Sequence, residues 1–120
     1  MSDSGDGTLT GIGLLQSLSS DELAAAARDC GWKSYAIQEQ IIDRQSESTD
    51  VFFVVEGRVR VVNYSVSGRE ITLDDIDSGG HFGELAAIDS APRSASVMAL
   101  TPCQMAIMSQ DRFVDLVERH

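Results

Sequence analysis

The 120-residue sequence predicts a mainly β fold, an antiparallel β jelly-roll barrel with flanking N- and C-terminal α-helices. Three observations predict it. Between Trp32 and Met108, short β-branched runs are broken by turn residues roughly every eight to twelve positions, the texture of a sandwich or barrel. Before that region a helix-start signature stands at Leu18–Leu23, and after it an amphipathic stretch follows Ser109. The length suits one domain, which buries roughly 65% of the surface its unfolded chain exposes and needs no metal or disulfide staple. Hydrophobic residues at 42% and charged ones at 23% fit a soluble globular composition.

The elements follow in chain order. Residues 1–10 are expected to be a disordered, acidic tail and residues 11–120 the folded domain. Gly11-Ile12-Gly13 reads as a loop, since Gln16 stands where a dinucleotide-binding loop would have its third glycine. Ser19 caps a helix, Glu22 closes the capping box, and Leu18 and Leu23 form the hydrophobic staple. That helix is expected to run through Ala24–Ala27 and to stop near Gly31 in a left-handed exit. Val51–Val55 reads as a buried strand. Arg58–Val61 and Glu70–Leu73 alternate, with a turn at Ser67-Gly68. Ala95-Val97-Ala99 and Met105-Ile107 add alternating pieces. Ser109 caps a second helix with Phe113, Leu116 and Val117 on one face. Trp32 and the methionines read as core packing.

Composition excludes several functions. The formal net charge is −10, and no basic stripe is present to displace counterions from a polyanion, so direct nucleic-acid contact is not expected. The apolar runs are too short to span a bilayer, and the N-terminus lacks the basic and apolar regions of a signal peptide. Two cysteines without C-x-x-C spacing, Cys30 and Cys103, fit small buried hydrophobes in a reducing cytoplasm. With His81 and His120 as the only histidines, no set of converging metal ligands is expected. No nucleophile–base pair with a third member is evident either, so no catalytic residue is assigned.

The segment that carries chemistry is Phe82-Gly83-Glu84-Leu85-Ala86-Ala87-Ile88, expected to leave a strand and enter one helical turn. Gly83 lets a ligand approach the backbone, and the unpaired N–H groups of a first helical turn suit a phosphate. Six residues separate Ala86 from Arg93, whose planar fork matches phosphate oxygens. Pro92 restricts the approach to it, and Ser94 adds a hydroxyl. Glu84 would repel a phosphate, but an ionised carboxylate accepts hydrogen bonds and so suits a sugar hydroxyl. Together these residues describe a site for a ribose phosphate. The acidic composition weakens long-range steering of such an anion without forbidding it, because screening acts within about 8 Å.

Phe82-Gly83-Glu84-Leu85-Ala86, followed by Pro92-Arg93-Ser94-Ala95-Ser96-Val97, resembles the phosphate-binding cassette of cyclic-nucleotide-binding domains. Such domains occur in catabolite-activator-type bacterial regulators, protein kinase A regulatory subunits and gated channels. The likeness runs from about Leu14 to His120, and Tyr35–Gly57 matches without a gap. It implies that Glu84 accepts the ribose 2′-OH and Arg93 pairs the cyclic phosphate. It implies further that Gly83, Leu85 and Ala86 supply backbone around the phosphate and Ser94 a hydroxyl. Val61 and Leu73 match apolar wall positions of the pocket. Gln38, Gln45 and Ser48 stand where the family has turn glycines. The family's long helix after the barrel, which covers the base, and any output domain are expected to lie outside this sequence.

The function expected from this resemblance is a cytoplasmic regulatory sensor that binds a cyclic purine nucleotide, cAMP rather than cGMP, with no other cofactor. Binding would be transmitted through the terminal helix to a fused effector or within a homodimer. The alternative is a degenerate cassette domain that serves as a dimerisation or docking module without nucleotide. A third class is a jelly-roll enzyme acting on a sugar phosphate.

Overall fold

A computed structural model describes residues 9–42, 49–83 and 95–119. Among these residues the chain forms a 3-10 turn (Gly13–Leu15), helix α1 (Ser20–Arg28), eight strands and a terminal helix, α2 (Gln110–Arg119). The strands are β1 (Gly31–Tyr35), β2 (Gln40–Ile42), β3 (Val51–Glu56), β4 (Arg58–Tyr64), β5 (Glu70–Asp77), β6 (His81–Phe82), β7 (Ser96–Ala99) and β8 (Cys103–Met108). They build two four-stranded antiparallel sheets, ordered β1-β8-β3-β6 and β2-β7-β4-β5. The sheets are not closed into a complete barrel. The mainly β, jelly-roll-like architecture with helices at both ends is therefore as the sequence predicts, with two facing sheets in place of a continuous wall.

Two apolar clusters explain the layering. The first sheet is covered on both sides, so β3 is apolar from Val51 to Val55: Val51 and Phe53 face the helices, while Phe52 and Val54 face the other sheet. Strand β8 divides likewise, with Ala106 and Met108 on the helix side and Cys103 and Met105 in the interior. The helix-side cluster gathers Ile12, Leu15 and Leu18 with Ala26, Ala27, Phe113 and Leu116. Leu9 is only 1% exposed in the same cluster, so packing begins inside the stretch expected to be a tail. Trp32 packs against this cluster and its indole N–H donates to the Ala27 carbonyl at 3.2 Å.

Helix α1 starts as its signature dictates. The Glu22 N–H donates to Ser19 Oγ at 3.2 Å and the Ser19 N–H to the Glu22 carboxylate at 2.8 Å, closing the capping box. Its end differs from expectation. The helix stops at Arg28 with Asp29 in a right-handed cap, and Gly31 opens strand β1 instead of making a left-handed exit. The backbone needs no left-handed residue there, because the Asp29 and Cys30 N–H groups already donate to carbonyls of the last turn. At the other terminus the Arg112 N–H donates to Ser109 Oγ at 3.4 Å, and Phe113 and Leu116 are buried. Val117, expected on the same face, is 50% exposed and sits at its margin.

Gly57 makes the corner between the sheets. With φ at +103°, it turns the chain from β3 in one sheet to β4 in the other, and a Cβ there would lie 2.6 Å from the Pro102 carbonyl. Gln38 holds the other strained turn, at φ +68° between β1 and β2, where the resemblance implies a glycine. Its N–H donates to the Ala99 carbonyl at 2.7 Å, which ties it to β7. A left-handed non-glycine residue costs about 1–2 kcal/mol, partly offset by the roughly 0.5–1 kcal/mol that a glycine loses in chain entropy. Gln38→Gly is therefore expected to raise the melting midpoint by about 2–4 °C. A midpoint unchanged or lowered in a thermal melt would show that the turn carries no such strain.

Candidate functional site

Strand β6 delivers the chain to the site. Phe82 is buried and pairs with Phe52 of β3, and the two rings stack with centroids 5.0 Å apart and planes within 3°. The aromatic pair fixes where the backbone emerges. Gly83 follows immediately with φ at +91°, a conformation that glycine adopts readily and other residues resist. The sequence assigned Gly83 to backbone close to a ligand, and its left-handed φ supplies a sharp change of direction at that point.

Glu84, Leu85, Ala86, Arg93 and Ser94 lie outside the described residues, as do Gln45 and Ser48 of the early turns. The chain is described again from Ala95. It enters β7, the strand between β2 and β4 at the centre of the second sheet. The described chain thus leaves at the edge of one sheet and is described again in the middle of the other.

The remaining predicted residues flank that re-entry. Val61 of β4 stands opposite Val97 of β7 and packs against the interior cluster that contains Phe82 and Phe52. Gly83's neighbour and Val61 therefore share one interior. Leu73 is the extra residue where the β4–β5 ladder slips, since Val61 faces Asp74 and Val62 faces Thr72. Leu73 is 55% exposed, and Ile71 and Tyr64 on the same hairpin are also exposed. Strand β4 separates Leu73 and Ile71 on β5 from the re-entering strand β7, and the register puts Tyr64 on the opposite face of the hairpin from Ile71. The sequence did not single out Ile71, Tyr64 or Phe52; the bulge and the ring stack are products of pairing between distant segments and leave no local signal.

Electrostatics along the hairpin moderate the acidic character of the chain. Arg60 grips Asp75 with two hydrogen bonds, Nε to Oδ1 at 2.8 Å and Nη2 to Oδ2 at 3.0 Å, and Arg58 pairs Asp77 at 2.8 Å. Two carboxylates of β5 are thereby neutralised. The hydrogen bonds from Arg60 hold the Asp75 carboxyl below the ordinary carboxylate range and raise the Arg60 guanidinium further. Because Asp75 is depressed in the folded chain, its contribution to stability is present above the usual aspartate pKa and disappears as pH falls through the lowered value.

Cys30 and Cys103 are free thiols, and burial pushes Cys30 up to about 12, so it holds its proton at neutral pH. Among the described residues no three His, Cys, Asp or Glu side chains are grouped to hold a metal ion. No described helix is long and apolar enough to cross a membrane.

Comparison with known proteins adds to this geometry. The family model described as a cyclic nucleotide-binding domain matches residues 32–120. The chain is 31% identical over 91 residues to a cAMP-dependent protein kinase regulatory subunit of Mycosarcoma maydis, covering 76% of this chain and 17% of that protein. It is 34% identical over 113 residues to a cGMP-dependent protein kinase, isozyme 1, of Drosophila melanogaster, covering 91% of this chain and 15% of that protein. The chain thus spans a small part of each of these relatives. In fold it is similar to the catabolite activator protein of Thermus thermophilus, with a TM-score of 0.80 at 24% identity, over 88% of this chain and 50% of that one.

Proposed function

The chain belongs to the cyclic nucleotide-binding domain family, and from that premise we propose that it binds a cyclic purine nucleotide, cAMP in preference to cGMP, as the sensor of a larger regulator. The observation that carries the reading is the cassette sequence Phe82-Gly83-Glu84-Leu85-Ala86…Pro92-Arg93-Ser94, of which Phe82 ends strand β6 and Gly83 has φ +91°. The family is a regulatory nucleotide-binding one and not a catalytic one. On this reading Arg93 pairs the cyclic phosphate, Glu84 accepts from the ribose 2′-OH, and Gly83, Leu85 and Ala86 surround the phosphate with backbone. Ser94 adds a hydroxyl, and Val61 and Leu73 wall the base.

The regulatory step is a population shift. A nucleotide that binds one arrangement of barrel and terminal helix better than another moves the equilibrium by the difference in its affinities and no more. Helix α2 rests on the helix-side cluster through Phe113 and Leu116, and β3 and β8 contribute to both that cluster and the interior. A change of packing in the interior therefore has a short path to α2. The effector that reads the shift, whether a fused domain or a second copy, and a cytoplasmic setting belong to the same proposal.

Titration calorimetry with cAMP and cGMP side by side tests the reading. Heat from both, with tighter binding of cAMP, is the expected result. Linkage adds about 2.7 kcal/mol of stability at a ligand concentration of 100 Kd, so the melting midpoint should rise by several degrees. No heat and an unmoved midpoint with millimolar nucleotide would replace the sensor with a docking module. Turnover of a cyclic nucleotide or nucleotide sugar would replace it with an enzyme.

A further inference from the structure

Strand β6 is two residues long and lies at the edge of its sheet, where among the described residues its ladder partner is β3, through Phe52–Phe82 and Phe53–His81. So short an edge strand has little ladder of its own, and what holds its ends sets its position. Its downstream end is Gly83. Upstream, the turn Asp77–Gly80 is held from two sides. Towards the sheet, the Gly79 N–H donates to the Val54 carbonyl at 2.8 Å and the Val54 N–H to the Gly80 carbonyl at 2.9 Å. Towards the N-terminal segment, the Gly79 carbonyl accepts from the Gly13 N–H at 2.9 Å.

That second contact is close because Gly79 lacks a side chain, whereas a Cβ on Gly13 would meet the Gly79 carbonyl oxygen only at an ordinary 3.8 Å. Gly79 has φ at +96°, and a Cβ there would lie 2.9 Å from the Gly11 carbonyl oxygen. Gly13 in turn opens the 3-10 turn whose Leu14 and Leu15, with Leu18, form one wall of an open apolar groove of about 190 Å³. The other wall is Phe113, Leu116 and Val117 of α2. One backbone hydrogen bond therefore joins the strand that leads into the cassette to the segment that faces the terminal helix.

We propose that the Gly13–Gly79 hydrogen bond is a positioning clip: it holds β6, and with it Gly83, against the N-terminal turn, so that nucleotide occupancy and clip closure strengthen each other. Linkage requires the two effects to be equal, because a clip that improves binding by some factor is itself closed more tightly by the same factor when ligand binds. The nucleotide half rests on the proposed function. The positional half is a property of the unliganded chain.

Gly13→Pro tests the clip by replacing the donor N–H with a ring Cδ aimed at the Gly79 carbonyl oxygen, which removes the bond and pushes the two segments apart. Proline suits the first position of a helical turn, and Ile12 before it is already extended at φ −84° and ψ 116°. Gly11→Ala is the control, since a Cβ at Gly11 meets nothing within 4 Å. Amide hydrogen exchange on the unliganded 120-residue chain should show exchange at His81–Gly83 accelerated about three- to ten-fold in Gly13→Pro, as expected for one lost hydrogen bond. The interior amides of β8 should be unchanged, and Gly11→Ala should match the unsubstituted chain. Gly79→Ala, which drives the two segments apart, should reproduce the local acceleration. Unaltered exchange at 81–83 in both variants overturns the clip.

In the unsubstituted chain, saturating cAMP should slow exchange of the Gly13 amide by a similar factor. Calorimetric binding without that slowing also overturns the clip. Absence of binding heat overturns the nucleotide reading instead, and the unliganded measurement then decides the clip alone.

Discussion

Replacing Arg93 with leucine is expected to weaken cAMP binding by about 2–5 kcal/mol, a factor of roughly thirty to several thousand. The magnitude follows from what is left behind. A charge-assisted, two-pronged pair with a phosphate cannot be replaced by water once the phosphate is held against the protein, so the anion stays partly unpaired. The chain's net charge of −10 makes the loss worse, because its nine Lys and Arg are outnumbered by nineteen Asp and Glu. Arg58 and Arg60 are already engaged by Asp77 and Asp75. Lysine at position 93 should recover part of the affinity as a point charge without the fork. Glu84→Gln should cost less, and its cost should shrink for a 2′-deoxy cyclic nucleotide. Calorimetry decides: Arg93→Leu binding cAMP within threefold of the unsubstituted chain removes Arg93 from the site, and equal losses for ribose and deoxyribose ligands remove Glu84 from the sugar.

Local chemistry was the legible part of this fold. The capping box at Ser19 and Glu22 and the cap at Ser109 act within one helical turn, so residue type alone announces them. Strands β3, β4, β5, β7 and β8 showed through their alternation or their doubly buried apolar run. Strands β1 and β2 are short or carry mixed side chains, and tertiary pairing makes them strands: Gly31–Tyr35 owes its extended form to five register partners on β8. Gly31 was misassigned to a helix exit because a glycine after an alanine-rich helix has two uses, and only the observed hydrogen bonds distinguish them. Leu9 and Val117 exchanged roles for a related reason. Burial depends on which distant element covers a residue, and a periodic pattern cannot see the groove edge that exposes Val117 or the cluster that takes in Leu9.

For the candidate site the division is sharper. The proposed cassette stands out in the sequence as a motif because phosphate and hydroxyl recognition demand particular residue types at fixed spacing. The surroundings of the proposed wall positions were less legible. Val61 meets Val97 across a ladder joining positions 36 residues apart, and Leu73 stands exposed because the β4–β5 pairing slips by one residue. The hydrogen bond from Gly13 to Gly79 spans still more of the chain. Nothing in the composition of either segment marks it.

Truncating Phe82 to alanine is expected to cost about 3–5 kcal/mol of folding stability, the range for removing a buried aromatic ring. The ring is 5% exposed and stacked on Phe52, so its loss leaves a cavity that the rigid strands around it cannot easily close. Domains of this class hold only about 5–15 kcal/mol in all, so the variant should stay folded with a much lower denaturation midpoint. Phe52→Ala should cost a similar amount, and the double variant should fall short of the sum by about 0.5–1.5 kcal/mol, the coupling of an aromatic pair. Phe53 separates stability from function. It is fully buried on the helix side of the same strand, so Phe53→Ala should destabilise the chain comparably. Only Phe82 precedes Gly83 and fixes where the backbone leaves the interior. In conditions where all variants are folded, Phe82→Ala should therefore lose nucleotide affinity and Phe53→Ala should keep it. Denaturant titration and calorimetry on the two variants would decide the point. Equal affinities would reduce the Phe52–Phe82 stack to core packing, and a stability loss below about 1 kcal/mol for Phe82→Ala would contradict the buried, stacked ring itself.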